Sequence, residues 1–71
     1  MTGITEYYDN LKYNIRNAHN KKALRVLQKH GQKFMKMLIA NPNIKPEVKE
    51  RARAEFNSVR EAIKAQEHRL K

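Results

Sequence analysis

Residues 20–40 read NKKALRVLQKHGQKFMKMLIA, a stretch that combines an apolar helical pattern with six basic residues and no acidic one. Its core-type positions recur at spacings of three and four residues, as one face of an α-helix requires: Leu24, Leu27, Gly31, Phe34 and Leu38. Asn20 is a suitable N-cap, and Asn41 should end the helix because a residue before proline disfavours helical backbone angles. The sequence therefore predicts a helix over residues 21–40.

The apolar face of this helix is wide, since further apolar residues extend it to more than half of the circumference: Ala23, Val26, Met35, Met37 and Ile39. Such a helix contacts neighbours on two sides, or one neighbour and a partner, and we expect it to be the central helix of the fold. Gly31 costs about 1 kcal/mol relative to alanine inside a helix, so its place on the stripe predicts a close approach by another helix, with an N-terminally weakened helix as the alternative. His30, at the edge of the face, is expected to be packed and hydrogen-bonded rather than a ligand.

A shorter helix is predicted before this segment, over residues 5–19. Its apolar stripe has spacings of four and three residues: Ile4, Tyr8, Leu11, Ile15 and Ala18. Thr5 is the expected N-cap, and Asn17 and Asn20 supply the stop signal. Tyr7 and Tyr8 lie at the edge and the centre of the stripe, so we expect both to pack in the core.

A long helix is predicted after it, over residues 46–70. Pro46 suits the first helical position, and an apolar seam follows it: Val48, Ala52, Phe56, Val59, Ile63, Gln66 and Leu70. This helix would be roughly 35–40 Å long at 1.5 Å per residue, so we expect its last two turns to extend beyond the core. A seam that ends in Ile63 and Leu70 would then need a second chain, which leaves a homodimer through the third helix as an open alternative to a monomer.

The whole chain is expected to be one all-α domain, 1–71, folded as a small three-helix bundle. Seventy-one residues leave no room for a second core, and valine and isoleucine show no period-two alternation typical of strands. The chain has no cysteine and no apolar run long enough to span a bilayer, and its first ten residues do not resemble a signal peptide. We therefore expect a soluble cytoplasmic protein with no membrane partner.

Charge is the most informative functional feature. Sixteen basic and seven acidic residues give a net charge of +9, and the usual partners of such chains are polyanions. Five bases of the second helix fall within one sector of roughly 80° on a helical wheel: Lys22, Arg25, Lys29, Lys33 and Lys36. We call this set the basic ridge. The third helix, in contrast, interleaves its bases with glutamates. The alternative reading is that the charge only maintains solubility.

The basic ridge predicts a non-enzymatic nucleic-acid-binding accessory protein or regulator. Four of its five bases are lysines, which act as point charges, so phosphate contact with weak sequence preference is expected for either DNA or RNA. A second set on the third helix, the basic flank, would extend the interface if it lies beside the ridge: Arg53, Arg60 and Lys64. The competing interpretation is that Arg53 and Lys64 pair with Glu50 and Glu61 at i,i+3.

The alternative function is that of a protein–protein adaptor or inhibitor. Such a protein would bind an acidic surface of its partner through the same ridge, with Tyr13 and Arg16 of the first helix as further contacts. Tyr13 is expected opposite the apolar stripe, where it is either a contact residue or an incidental surface side chain.

Catalytic and metal sites find little support in the sequence. Ser58 is the only serine, cysteine is absent, and there is no glycine-rich phosphate loop. The three histidines, His19, His30 and His68, lack the spacing of metal ligands. We expect no enzymatic activity, no cofactor and no metal ion.

Overall fold

The computed structural model describes residues 3–70, which form three α-helices and no strand. The helices are α1 (Ile4–Arg16), α2 (Lys21–Ala40) and α3 (Pro46–Arg69). Short connections join them, and each helix packs against the other two, so consecutive helices run antiparallel. The predicted small all-α three-helix bundle is confirmed.

The ends of α2 and the start of α3 lie where the sequence predicted them. The side chain of Asn20 accepts a hydrogen bond of 2.7 Å from the backbone N–H of Ala23 and so caps α2. Asn41 has extended backbone angles and ends that helix before Pro42. Pro46 occupies the first turn of α3, where its missing N–H costs nothing.

The predicted bounds of α1 were wrong at both ends. Its N-cap is Gly3 rather than Thr5, and the helix ends at Arg16 rather than at residue 19. The Asn17 side-chain amide donates to the carbonyl oxygen of Tyr13 over 2.8 Å, while the Ala18 N–H donates to the carbonyl of Ile15. These bonds occupy the last carbonyls of the helix and turn the chain toward α2 one turn early.

The core is built mainly by α1 and α3. Its buried apolar side chains are Tyr8, Leu11, Ile15, Ala18, Leu24, Ala52, Phe56, Val59 and Ile63. In α2 only Leu24 and Gly31 are buried, and Val26 and Met37 remain 45% and 61% exposed. The expectation that the second helix is central was therefore wrong. The helix that contributes the most buried residues is α3, with five, because its narrow seam fits between the two others whereas the wide face of α2 is only partly covered.

All three helices meet at Gly31. The Tyr8 hydroxyl donates a hydrogen bond of 2.9 Å to the Gly31 carbonyl oxygen. A Cβ atom on Gly31 would lie 2.9 Å from Leu11 Cδ2 and 3.4 Å from Phe56 Cδ1. The predicted close approach is confirmed, and it involves α1 and α3 together.

The last turns of α3 do not extend beyond the core, contrary to the expectation from the length of the helix. Gln66 is 8% exposed, and its side-chain amide donates to the carbonyl oxygen of Ala18 over 3.0 Å. Ile63 is buried, and Leu70 packs against the core. Because the connection between α1 and α2 covers this end of the seam, the reason for expecting a dimer through the third helix is removed.

The close packing around Gly31 predicts that a side chain introduced at this position lowers the stability of the protein. We expect Gly31→Val to lower the free energy of unfolding by about 1–3 kcal/mol, because the added methyl groups overpack Leu11 and Phe56. Gln32→Val introduces the same side chain at the next, exposed position and should change stability by less than about 0.5 kcal/mol. Urea unfolding followed by circular dichroism measures both. Equal effects of the two substitutions would contradict the close packing.

The burial of Tyr8 predicts that its phenol loses its proton at a higher pH than an exposed tyrosine does. Burial, reinforced by the neighbouring Tyr7 and Glu55, raises the pKa of Tyr8 from 10.0 to about 12. Since the folded state favours the neutral phenol, its contribution to stability is complete below pH 10 and declines as the pH rises toward 12. In a phenolate absorbance titration of the folded protein, the high-pH component should disappear in Tyr8→Phe and persist in Tyr13→Phe. Its persistence in Tyr8→Phe would refute the assignment.

Candidate nucleic-acid interface

The basic ridge lies on the solvent side of α2, opposite the buried Leu24 and Gly31. All five of its side chains are exposed, and none of them forms an ion pair within residues 3–70. The ridge covers about 21 Å along the helix axis at 1.5 Å per residue. Along this length no carboxylate interrupts it, because α2 contains no acidic residue.

Ion pairing is confined to the other side of the bundle. In the described part of the chain, ion pairs form only around Lys12, whose Nζ lies 3.6 Å from Asp9 Oδ1 and 3.9 Å from Glu55 Oε2. Glu55 Oε2 is buried and accepts no hydrogen bond there, so the nearby ammonium offsets its charge. Lys12 Nζ also contacts Ser58 Oγ at 3.4 Å. These contacts join α1 to α3 and leave the bases of α2 unpaired.

The basic flank is not neutralised by its neighbours on α3. Arg53, Arg60 and Lys64 are all exposed, and the expected pairs with Glu50 and Glu61 do not form. That competing interpretation was wrong, because exposed side chains gain little from an ion pair in water.

The contacts of Lys12 also fix the direction in which the flank points. Because Lys12 of α1 reaches Glu55 and Ser58, that side of α3 faces α1. On a helical wheel the basic flank lies on the opposite side of α3, next to α2. Lys64 accordingly shares a shallow cavity of about 240 Å³ with Lys21 at the start of α2, together with Glu67 and His68. Lys64 of the flank therefore lies beside the start of α2, although no residue of the ridge lines that cavity.

The two residues predicted as partner contacts do not join this surface. Tyr13 is 65% exposed and Arg16 is also exposed, so both are accessible as expected. They point outward from α1, however, whereas the basic ridge points outward from α2.

Sequence reasoning missed an aromatic and apolar border along the ridge. Tyr7 of α1 stacks on Phe34 of α2, with ring centroids 4.1 Å apart and an interplanar angle of 20°. His30 beside them is exposed, and only its carbonyl oxygen is engaged, by the Tyr7 hydroxyl at 3.4 Å. The expectation that the His30 side chain is packed and hydrogen-bonded was therefore wrong.

The angular positions of the apolar residues on a helical wheel of α2 could have predicted this border. Val26 and Met37 lie angularly closer to Lys33 than to Leu24, so they belong to the margin of the ridge rather than to the core face. Their exposures of 45% and 61% agree with that placement. The wide apolar face of α2 thus has one part that α1 and α3 cover and another part that stays exposed to solvent.

Comparison with known proteins identifies neither a family nor a function for this chain. No family model matches the chain, and no curated protein or solved structure matches it significantly. None of the helices within residues 3–70 is long and apolar enough to cross a membrane. Over the same range there is no group of three or more metal-ligating side chains. The interface is therefore interpreted from its own chemistry.

Proposed function

We propose that the protein is a non-enzymatic nucleic-acid-binding accessory protein that contacts phosphates through the basic ridge. The observation that carries the proposal is the set of five exposed bases without an acidic partner in the described residues. Like charges at i,i+4 destabilise a helix by a few tenths of a kcal/mol per pair. An anionic ligand with regularly spaced charges would relieve that repulsion, and a nucleic acid backbone is such a ligand.

The ridge chemistry favours phosphate contact over base reading. Its four lysines are flexible point charges, and only Arg25 carries the planar fork that suits bidentate recognition of guanine. Weak sequence preference follows, for DNA or RNA alike. The basic flank, whose Lys64 lies near Lys21 of α2, would widen this interface, with Arg53, Arg60 and Lys64 on further phosphates. The proposal includes a cytoplasmic location, which the cysteine-free composition favours.

Charge reversal on the ridge tests the proposal directly. We expect Lys29→Glu/Lys33→Glu to weaken binding at least about tenfold, since it removes two phosphate contacts and adds two repulsive charges. Fluorescence polarisation with labelled duplex DNA, single-stranded DNA and structured RNA at two salt concentrations measures the effect. Wild-type binding should weaken steeply with salt.

The matched control is Arg51→Glu/Arg69→Glu, which changes the net charge equally at two exposed positions of α3 outside the ridge and the flank. It should retain most of the affinity. Absence of wild-type binding at low salt, or equal losses in the two double variants, would refute a role of the ridge itself.

The contribution of the basic flank is tested separately by neutralisation. We expect Arg60→Gln/Lys64→Gln to reduce the slope of log affinity against log salt by about 1–2, because each phosphate contact contributes about 0.7–0.9 to it. An unchanged slope would restrict the interface to α2.

The adaptor function remains the rival proposal, because an acidic protein surface would also attract the ridge. Pull-down from a nuclease-treated lysate separates the two classes. Retention of one specific protein after nuclease treatment would favour an adaptor, whereas loss of all partners would favour nucleic acid. In that role Tyr13 and Arg16, both exposed on α1, would be further contacts beside the ridge residues.

A further inference from the structure

An open cavity of about 170 Å³ lies between α1 and α2 at the margin of the basic ridge. It is lined by Tyr7, His30, Lys33, Phe34 and Met37. A shallow depression over the ridge, of about 430 Å³, is lined by Lys29, Gln32, Lys33, Lys36, Met37 and Ala40. Lys33 and Met37 belong to both, so the lysine surface and the aromatic cavity are continuous.

The walls of the aromatic cavity are suited to a flat, π-rich ligand. Tyr7 is held by stacking on Phe34 at 4.1 Å and by an edge contact with Tyr8 at 5.2 Å. A fixed ring loses little conformational freedom when a ligand binds to it. Met37 adds a polarisable side chain that is 61% exposed, and the exposed imidazole of His30 can donate or accept a hydrogen bond.

The lysines of the ridge and the aromatic cavity together would bind a single strand differently from a duplex. A duplex presents phosphates outward and keeps its bases stacked inside, so it would use the lysines and leave the aromatic cavity empty. An unpaired strand presents phosphates and base faces side by side, and proteins bind such strands with a basic track beside aromatic side chains.

We infer that the preferred ligand is single-stranded nucleic acid, with its backbone along Lys29, Lys33 and Lys36 and one base in the aromatic cavity against Met37 and the Tyr7–Phe34 pair. The inference rests on the proposed nucleic-acid function and specifies the form of its ligand. The base would be bound through its π face, which all bases share, so sequence preference stays weak.

The test compares three labelled probes of equal length by fluorescence polarisation: a single-stranded oligonucleotide, the same strand without bases, and a duplex. The single strand should bind about tenfold more tightly than the strand without bases, since stacking of a base on an aromatic side chain contributes on that order. It should also bind more tightly than the duplex. Equal affinity for the single strand and the strand without bases would overturn the inference.

Two matched substitutions locate the effect. Met37→Ser removes an exposed side chain from the cavity and should narrow the difference in affinity between the single strand and the strand without bases, while the Tyr7–Phe34 pair retains part of it. Val26→Ser makes a comparable change at an exposed position on the same margin of α2, outside the cavity, and should leave the difference unchanged. A narrowed difference in both variants, or in neither, would overturn the inference.

The ridge variant separates this inference from the function on which it rests. If Lys29→Glu/Lys33→Glu abolishes binding of all three probes while wild type binds them equally, the ridge binds phosphates and the cavity binds no base. If wild type binds none of the probes, the nucleic-acid function itself fails. Binding of a labelled polyglutamate peptide in that last case, lost in Lys29→Glu/Lys33→Glu, would assign the ridge to an acidic protein partner and overturn the inference.

Discussion

The packing of three helices at Gly31 determines both the core and the surface of this protein. The absence of a side chain there lets Leu11 and Phe56 approach the α2 backbone, and the Tyr8 hydroxyl binds its carbonyl oxygen. This contact fixes the rotation of α2 about its own axis. Once Gly31 faces inward, the five ridge bases must face water, and Phe34 is brought to the side of α2 that faces Tyr7 of α1. The basic ridge and the aromatic cavity are thus consequences of one close approach.

The bundle also separates its charges by helix. Acidic residues occur on α1 and α3, where Lys12 connects Asp9 to the partly buried Glu55, while α2 has none. The α1–α3 contact is therefore supported by charge as well as by apolar packing. The ridge of α2 makes no such contact with its neighbours, and its bases project into solvent. The ridge of α2 has no acidic residue, whereas α1 and α3 carry acids as well as bases, so the charge of the bundle is distributed unevenly, and an uneven distribution of this kind attracts extended anions.

Spacing in the sequence predicted the existence of the three helices, the limits of α2, the close approach at Gly31 and the exposure of the ridge, because each depends on residues a few positions apart. Spacing did not predict the features that depend on how the three helices pack against one another. Which part of the wide α2 face is covered depends on the rotation set at Gly31, so the exposure of Val26, His30 and Met37 was not foreseen. The end of α3 is covered by the turn at Ala18, whose carbonyl oxygen accepts a hydrogen bond from Gln66. That turn forms because α1 ends early. The early end results from local hydrogen bonds, which the spacing of apolar residues does not predict.

The sequence of α2 is unfavourable for an isolated helix, which bears on why its charge pattern exists. Gly31 costs about 1 kcal/mol relative to alanine, and the ridge bases repel one another by a few tenths of a kcal/mol per pair. Its helical state therefore depends on the Asn20 cap and on packing against α1 and α3. A polyanion that neutralised the ridge would stabilise the folded state by mass action. Solubility alone would be met by interleaved glutamates, as in α3, without that repulsion. This difference between α2 and α3 is the physical basis for proposing a ligand that supplies the negative charge.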